Sequence, residues 1–126
     1  MTIDKVIDNV RRKKAGYNID DEFIIDNVNR VEMELITHFV EGREGDTDIK
    51  KQFGNYNAHT ERDKKLLADA PFDLLYETFV CAQIDLEYED SERYQNNLIQ
   101  YNKTLENFGI YWCGTHKQKR HYTYHY

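Results

Sequence analysis

The sequence predicts an all-α fold, a four-helix bundle. Along four segments, apolar residues recur at steps of three and four, which places them on one face of a helix. Helix-capping residues precede these segments, and glycine or a crowded acidic turn follows them. The predicted helices span about 2–15, 20–41, 71–88 and 91–113, with a long loop or arm at 42–69. We therefore expect a helical domain over 1–115 and a projecting C-terminal tail over 116–126.

Composition limits the classes of protein that the chain can represent. It has 126 residues, of which 40% are hydrophobic and 32% charged, as in a single polar domain with a modest core. A net charge of −6 argues against a general nucleic-acid binder. Ten tyrosines suit either a core or a protein interface. No signal-peptide region or bilayer-spanning apolar run is present, so we expect a protein made in the cytosol and no membrane contact.

The first two predicted helices have clear starts and stops. Thr2 is a suitable cap, and the basic run 11–14 lies where a helix C-terminus favours cations. Asp20 is the expected cap of the second helix, and Gly42 its stop. The buried faces predicted from the spacing are Ile3, Val6, Ile7 and Val10, then Ile24, Val28, Val31, Leu35 and Phe39.

Residues 42–69 are polar and punctuated by glycine and asparagine, with Phe53 and Tyr56 among their few large apolar side chains. A connection of this length in a small domain is typically functional or flexible. The end of the segment is compatible with a helical turn or a short strand. We expect Phe53 and Tyr56 to contact a partner.

The last two predicted helices form an antiparallel hairpin, because few residues separate them. Pro71 is expected at the first position of the third helix, and Asp90 or Ser91 caps the fourth. The third helix is central, since Val80 and Ile84 widen its apolar face. Its inward side chains are predicted to be Phe72, Leu75, Tyr76, Phe79, Ala82 and Leu86. They meet a heptad seam on the fourth, made of Tyr94, Leu98, Tyr101, Leu105, Phe108 and Trp112.

The C-terminal sequence "THKQKRHYTYHY" has no aliphatic residue, so it is not expected in the core. It fits a disordered segment, an edge strand or a partner-binding segment. In "HYTYHY", aromatic and polar residues alternate, which is typical of a strand added to another chain.

No catalytic or metal-binding motif is recognisable. His121 and His125 stand at i, i+4 near His116, but no helix and no adjacent carboxylate are expected there. The acidic run 85–92 is interpreted as a solvated turn, because it lacks the Glu-x-x-His pairs of bundle metal sites. The expectation is a non-enzymatic protein without catalytic residues, metal or cofactor. His38 and His59 have no nucleophile at a recognisable spacing, and Ser91 is interpreted as a helix cap. Cys81 and Cys113 are expected to be buried or half-buried thiols.

Two basic runs carry the charge needed to contact phosphate. They are residues 11–14 and the cations Lys117, Lys119 and Arg120. A helix-turn-helix interpretation fails, because the second helix is acidic at "DDEF" and "VEMEL".

The stretch "LLADAPFDLLYETFVCAQIDLEYEDSERYQNNLIQYNKTLENFGIYW" resembles small head–tail connector (adaptor) proteins of tailed bacteriophages. The resemblance lies in a Pro-aromatic-Asp helix start with Leu-Tyr following, a Tyr-x-Asn-Asn and Tyr-Asn pattern, and an aromatic end near Thr-His. The matching positions are Pro71, Phe72, Asp73, Leu75, Tyr76, Tyr94, Asn96, Asn97, Tyr101, Asn102, Tyr111, Thr115 and His116.

The resemblance implies an all-helical subunit in a ring of typically about twelve copies beneath the portal, in the virion neck. Such a ring extends the DNA channel, lets the genome pass without sequence-specific binding, and offers a platform to a neck, stopper or tail protein. It is assembled in the host bacterial cytoplasm. The residues expected to contact the portal or a neighbouring copy are Lys117, Lys119, Arg120, His121, Tyr122, Tyr124 and Tyr126, with Phe53 and Tyr56. The alternative is a small non-enzymatic helical regulatory or interaction protein of phage or bacterial origin, a monomer or dimer with one compact partner.

Overall fold

The computed structural model describes residues 1–119, which form α-helices and turns. The all-α prediction is confirmed for this range, where β-structure is limited to isolated bridges. The helices are α1 (Ile3–Lys13), α2 (Asp21–Leu35), α3 (Asp46–Gln52), α4 (Leu74–Glu87) and α5 (Ser91–Thr115). A π-helical turn, Ile36–Val40, continues α2.

Three helix starts agree with the expected caps. Thr2 accepts a hydrogen bond from the amide of Lys5 at 3.2 Å, and Asp20 from that of Phe23 at 3.0 Å. At α5 the capping side chain is Asp90, not Ser91, and it accepts from the amide of Arg93 at 3.2 Å. Each cap satisfies a backbone donor that the first helical turn leaves without an intrahelical partner.

The start of α4 differs from the prediction. The helix begins at Leu74, so Pro71 lies before it and not at its first position. The amide of Phe72 donates to the carbonyl of Asp69 at 2.7 Å, which closes a turn around Ala70 and Pro71 instead of a helical turn. Pro71 itself is exposed and is not part of the core scaffold.

α4 and α5 form the predicted antiparallel hairpin. The rings of Phe79 and Tyr101 lie 5.1 Å apart between centroids, and Asn97 donates to Asp85 at 2.8 Å. The later residue of α4 therefore meets the earlier residue of α5, which is the order of an antiparallel pair. At about 1.5 Å per residue, α5 is about 37 Å long.

Most of the predicted scaffold is in the core, with two exceptions besides Pro71. Leu86, near the C-terminal end of α4, is 53% exposed, and Tyr94 is only half-buried. The buried members are Leu75, Tyr76, Phe79, Tyr101, Phe108 and Trp112, and those partly buried against the core are Phe72, Leu98 and Leu105.

Residues 42–69 differ from the predicted loop. They contain α3, and Tyr56, Leu66 and Ala68 are buried in the core. The amide of Leu66 donates to the carbonyl of Met1 at 3.0 Å, so the end of the segment runs beside the chain's first residues. The segment is a packed connection over this part, because its few apolar side chains fill the space beside α2 and α4.

Within residues 1–119, every helix is too short or too polar to cross a membrane.

Candidate docking surface

Glu32, on α2, lies at the centre of a buried polar network. Its carboxylate accepts hydrogen bonds from the hydroxyls of Tyr56 at 2.5 Å and Tyr76 at 2.8 Å, and from the amide of Leu67 at 3.2 Å. The Tyr76 hydroxyl in turn accepts from the amide of Ala68 at 2.9 Å. Burial raises the pKa of Glu32, against the opposing effect of these hydrogen bonds. The network fastens Tyr56, Leu67 and Ala68 to α2 and α4.

The two aromatic residues predicted to bind a partner from residues 42–69 face the protein interior. Tyr56 is buried, and its hydroxyl is used by Glu32. Phe53 is half-buried against the core, with the ammonium of Lys64 5.2 Å from its ring centroid. Neither side chain offers a large contact area to a second molecule, so the structure places both residues in the scaffold.

A second buried polar cluster joins α1, α4 and α5. The ammonium of Lys14 binds the carboxylate of Asp85, and Asn97 donates to the other oxygen of that carboxylate at 2.8 Å. Lys14 is 7% exposed and Asp85 0%. The interpretation of residues 85–92 as a wholly solvated acidic turn is therefore wrong at Asp85, whose burial is compensated by these partners.

The basic run 11–14 is mostly neutralised by the fold. Arg11 pairs with Asp21, Lys13 with Glu77 at 2.9 Å, and Lys14 with Asp85, as described above. A cation that is already paired with a carboxylate has less to gain from a phosphate. The run therefore stabilises helix packing and does not form an open phosphate-binding patch.

The first part of the predicted tail is bound to residues 42–46 by contacts that we call the C-terminal clasp (residues 42–46 with residues 116–119). The amide of Glu44 donates to the carbonyl of Lys117 at 2.8 Å, and that of Lys119 to Gly42 at 2.9 Å. The ammonium of Lys119 lies 2.5 Å from Asp46, which also accepts from the amide of Gly42 at 3.0 Å. These partners hold the pKa of Asp46 down at about 2, chiefly through Lys119.

Of the predicted tail contacts, Lys119 is thus engaged within the chain, whereas the side chain of Lys117 is exposed. The remaining predicted contacts lie outside the described residues and are Arg120, His121, Tyr122, Tyr124 and Tyr126.

The side of α5 that faces away from the hairpin carries large apolar side chains. Ile99 is 67% exposed and Ile110 is 68% exposed. Next to Ile110 runs a shallow groove of about 480 Å³, which we call the α5 groove. It is lined by Phe39, Asn102, Leu105, Glu106, Gly109, Ile110 and Cys113. This apolar face is the feature of the described residues best suited to bind another protein segment.

Close packing at Gly109 forms one wall of the groove. A Cβ atom at this position would lie 2.5 Å from Cε1 of Phe39. Only glycine therefore lets the Phe39 ring lie directly against the backbone of α5. Sequence reasoning placed Phe39 on the buried face of its helix but missed the groove, although Ile99, Ile110 and Cys113 lie off the heptad seam and were available as a signal.

Several of the residues on which the phage resemblance rests make contacts within the α4–α5 hairpin or at the C-terminal end of α5. Asn97 binds Asp85, and the hydroxyl of Thr115 donates to the carbonyl of Tyr111 at 2.9 Å. The ring of His116 stacks on Trp112 at 3.7 Å between centroids. Asn96 and Asn102 are exposed on α5.

The candidate chemical groups are dispersed. Among residues 1–119, no three His, Cys, Asp or Glu side chains are grouped so as to hold a metal ion. His38 and His59 are separate and exposed. Burial raises the pKa of the Cys81 thiol to about 11, which keeps it protonated and unreactive near neutral pH.

Comparisons with known proteins add no relative: the chain matches no protein-family model, no curated protein and no solved structure at a significant level.

Proposed function

We propose that the protein is a structural head–tail adaptor of a tailed bacteriophage. In this role it acts by assembly, as one copy in a ring that docks on the portal, extends the DNA channel and joins it to the tail. The ring subunits are all-helical, and the DNA passes through without sequence-specific binding.

The observation that carries the assembly role is the two-sided character of α5. Its inner seam packs Tyr101, Phe108 and Trp112 into the core, while Ile99 and Ile110 remain more than half exposed on other sides. Large apolar side chains exposed along one long helix favour a protein interface. The phage assignment itself rests on the sequence resemblance, whose residues build the α4–α5 hairpin that presents this surface.

The charge of the surface also supports a channel component. The net charge is −6, and three of the four cations at 11–14 pair with carboxylates of the chain. An acidic protein whose basic run 11–14 is largely paired within the chain has little affinity for the DNA backbone through that run, which favours a channel that DNA slides through.

A binding measurement with a portal protein tests the proposal. Ile99→Asp introduces a charge on the exposed face of α5 outside the α5 groove, and Asn107→Asp introduces the same charge at another exposed position of the helix. We expect Ile99→Asp to lower the number of copies bound per portal in native mass spectrometry, and Asn107→Asp to leave it unchanged. An equal number of copies bound per portal in both variants would show that Ile99 does not lie in the interface.

Absence of any portal complex with the unaltered protein would instead favour the alternative, a small helical regulatory or interaction protein. That class predicts a monomer or dimer with one compact partner. A monomer in solution is compatible with the adaptor role, because such subunits can assemble on contact with the portal. The mixture with portal, and not the isolated protein, is therefore the sample that decides.

A further inference from the structure

The α5 groove combines an apolar floor with a single charged lining residue. Phe39, Leu105 and Ile110 supply apolar surface, and Glu106 supplies the charge. Its volume of about 480 Å³ falls within the usual range for sites that hold small ligands or a few side chains. An occupant with aromatic side chains and a positive charge would match it.

The C-terminal clasp holds Lys119, the last described residue, beside this groove. The amide of Lys119 is 2.9 Å from the carbonyl of Gly42, three residues beyond Phe39. The guanidinium of Arg43 lies 3.4 Å from the carbonyl of Cys113. Since Phe39 and Cys113 both line the groove, the last described residue lies near one end of it.

The seven residues that follow Lys119, Arg-His-Tyr-Thr-Tyr-His-Tyr, have the matching chemistry. In an extended chain they would reach about 23 Å, at about 3.3 Å per residue. Tyr122, Tyr124 and Tyr126 alternate with polar residues, so the three rings would lie on the same side of such a chain. Arg120 carries the charge opposite to that of Glu106.

We propose that residues 120–126 dock in the α5 groove of their own chain and cover its apolar side chains. The clasp keeps the segment close to the groove, so its effective concentration there is in the millimolar range typical of short tethers. Docking in the same chain therefore precedes docking on a second molecule. The inference concerns the isolated subunit and does not rest on the adaptor role.

Nuclear magnetic resonance of the full chain tests the location of the segment. In a uniformly labelled sample we expect nuclear Overhauser contacts between the rings of residues 122–126 and the methyl groups of Leu105 and Ile110. In a mixture of labelled and unlabelled chains, an isotope-filtered experiment should show no such contacts. Contacts only in the filtered experiment would place the segment on a neighbouring copy, and absence in both experiments would leave the groove uncovered. Either result overturns the proposal.

The exposed thiol of Cys113 gives a second readout, because it lines the groove while Cys81 is buried and unreactive. The full chain is compared with the triple variant Tyr122→Ser, Tyr124→Ser and Tyr126→Ser, using a small aromatic disulfide as the thiol reagent. A cover that is closed about 90% of the time slows the reaction about tenfold, so the triple variant should react about tenfold faster. Tyr88→Ser, at an exposed tyrosine outside the groove lining, is the matched control and should leave the rate unchanged. Equal rates for the triple variant and the unaltered chain would contradict the cover.

These readouts separate the inference from the proposed function. Both experiments use the isolated protein, so a result showing that residues 120–126 do not dock in the groove would not bear on portal binding. Conversely, a failure to bind portal would leave the magnetic resonance and thiol results unchanged.

Discussion

The ammonium of Lys14 binds the carboxylate of Asp85, 71 residues later in the chain, and both side chains are buried. The pair connects the end of α1 to α4, and Asn97 extends it to α5. Removing one member of a buried pair leaves a charge without compensation in a poorly solvated site.

Lys14→Met is therefore expected to lower the free energy of unfolding by about 3–5 kcal/mol. The double variant Lys14→Met with Asp85→Leu should recover much of this loss, because no buried charge remains. Lys50→Met is the control, since Lys50 and its partner Glu41 are both exposed and the pair should contribute only about 0–1 kcal/mol. Denaturant titration measures all three variants. A loss for Lys14→Met no larger than that for Lys50→Met would show that the buried pair does not join the helices as described.

The two tyrosines that bind Glu32 should differ in their contribution to stability. The hydroxyl of Tyr56 donates to Glu32, whereas that of Tyr76 both donates to Glu32 and accepts from the amide of Ala68 at 2.9 Å. Tyr56→Phe should cost about 1–2 kcal/mol, and Tyr76→Phe about 2–4 kcal/mol because it leaves the Ala68 amide without its acceptor. Chemical unfolding of the two variants side by side provides the comparison. The reverse order would be inconsistent with the network.

The buried carboxyl of Glu32 should make stability depend on pH. Burial raises its pKa above the ordinary 4.5, so the folded protein binds this proton more tightly than the unfolded chain does. The stabilisation that protonated Glu32 gives the folded state is fully present below pH 4.5, and it is lost as the pH rises from there through the pKa of Glu32 in the folded state. Tyr56, Tyr76 and Lys64 are the titratable groups that act on it.

Relative to Glu32→Gln, which carries no proton to lose, the unaltered protein should therefore become less stable as pH rises above about 4.5. The slope is at most about 1.4 kcal/mol per pH unit. Unfolding free energies measured in parallel across this range give the difference. A difference that grows in favour of the unaltered protein with rising pH would refute the assignment.

The contribution of Asp46 to stability should change with pH in the opposite direction. Its pKa is lowered from 3.8 to about 2 by Lys119, so the clasp is stabilised above pH 3.8 and loses that stabilisation as pH falls towards 2. Asp46→Asn removes the charge at any pH. At neutral pH it should speed hydrogen exchange of the Lys119 and Glu44 amides, which the clasp protects. Unchanged exchange at both amides would show that the ion pair does not hold the clasp.

Two glycines of α5 provide a matched test of the packing at Phe39. A Cβ atom at Gly109 would lie 2.5 Å from the Phe39 ring, whereas at Gly114 it would meet no atom within 4 Å. Gly109→Ala should lower stability by about 1–3 kcal/mol through displacement of the ring. Gly114→Ala should be neutral or stabilise by up to about 1 kcal/mol, because alanine favours the helix. Thermal unfolding distinguishes the two, and Phe39→Leu added to Gly109→Ala should restore part of the loss.

The periodic helices and their caps were predictable from the sequence because their signals are local. The stripe from Ile24 to Leu35 and the caps Thr2, Asp20 and Asp90 depend on residues within a few positions of one another. The structure follows these signals closely at α1, α2 and α5. The antiparallel hairpin followed from the short connection alone.

The buried polar groups were not predictable in the same way. Glu32 looks like one of several surface acids on an amphipathic helix until Tyr56 and Tyr76 reach it from later in the chain. The burial of Tyr56, Leu66 and Ala68 follows no periodic pattern in the sequence. Lys14 and Asp85 likewise belong to charged runs whose exposed and buried members look alike in the sequence.

Electron microscopy of the protein mixed with portal is the decisive test of the proposal that this subunit assembles as a ring on a portal. We expect a closed ring of copies bound coaxially to the portal, with a channel through both. Portal particles without a ring, together with a monomer or dimer of this protein on its own, would contradict it.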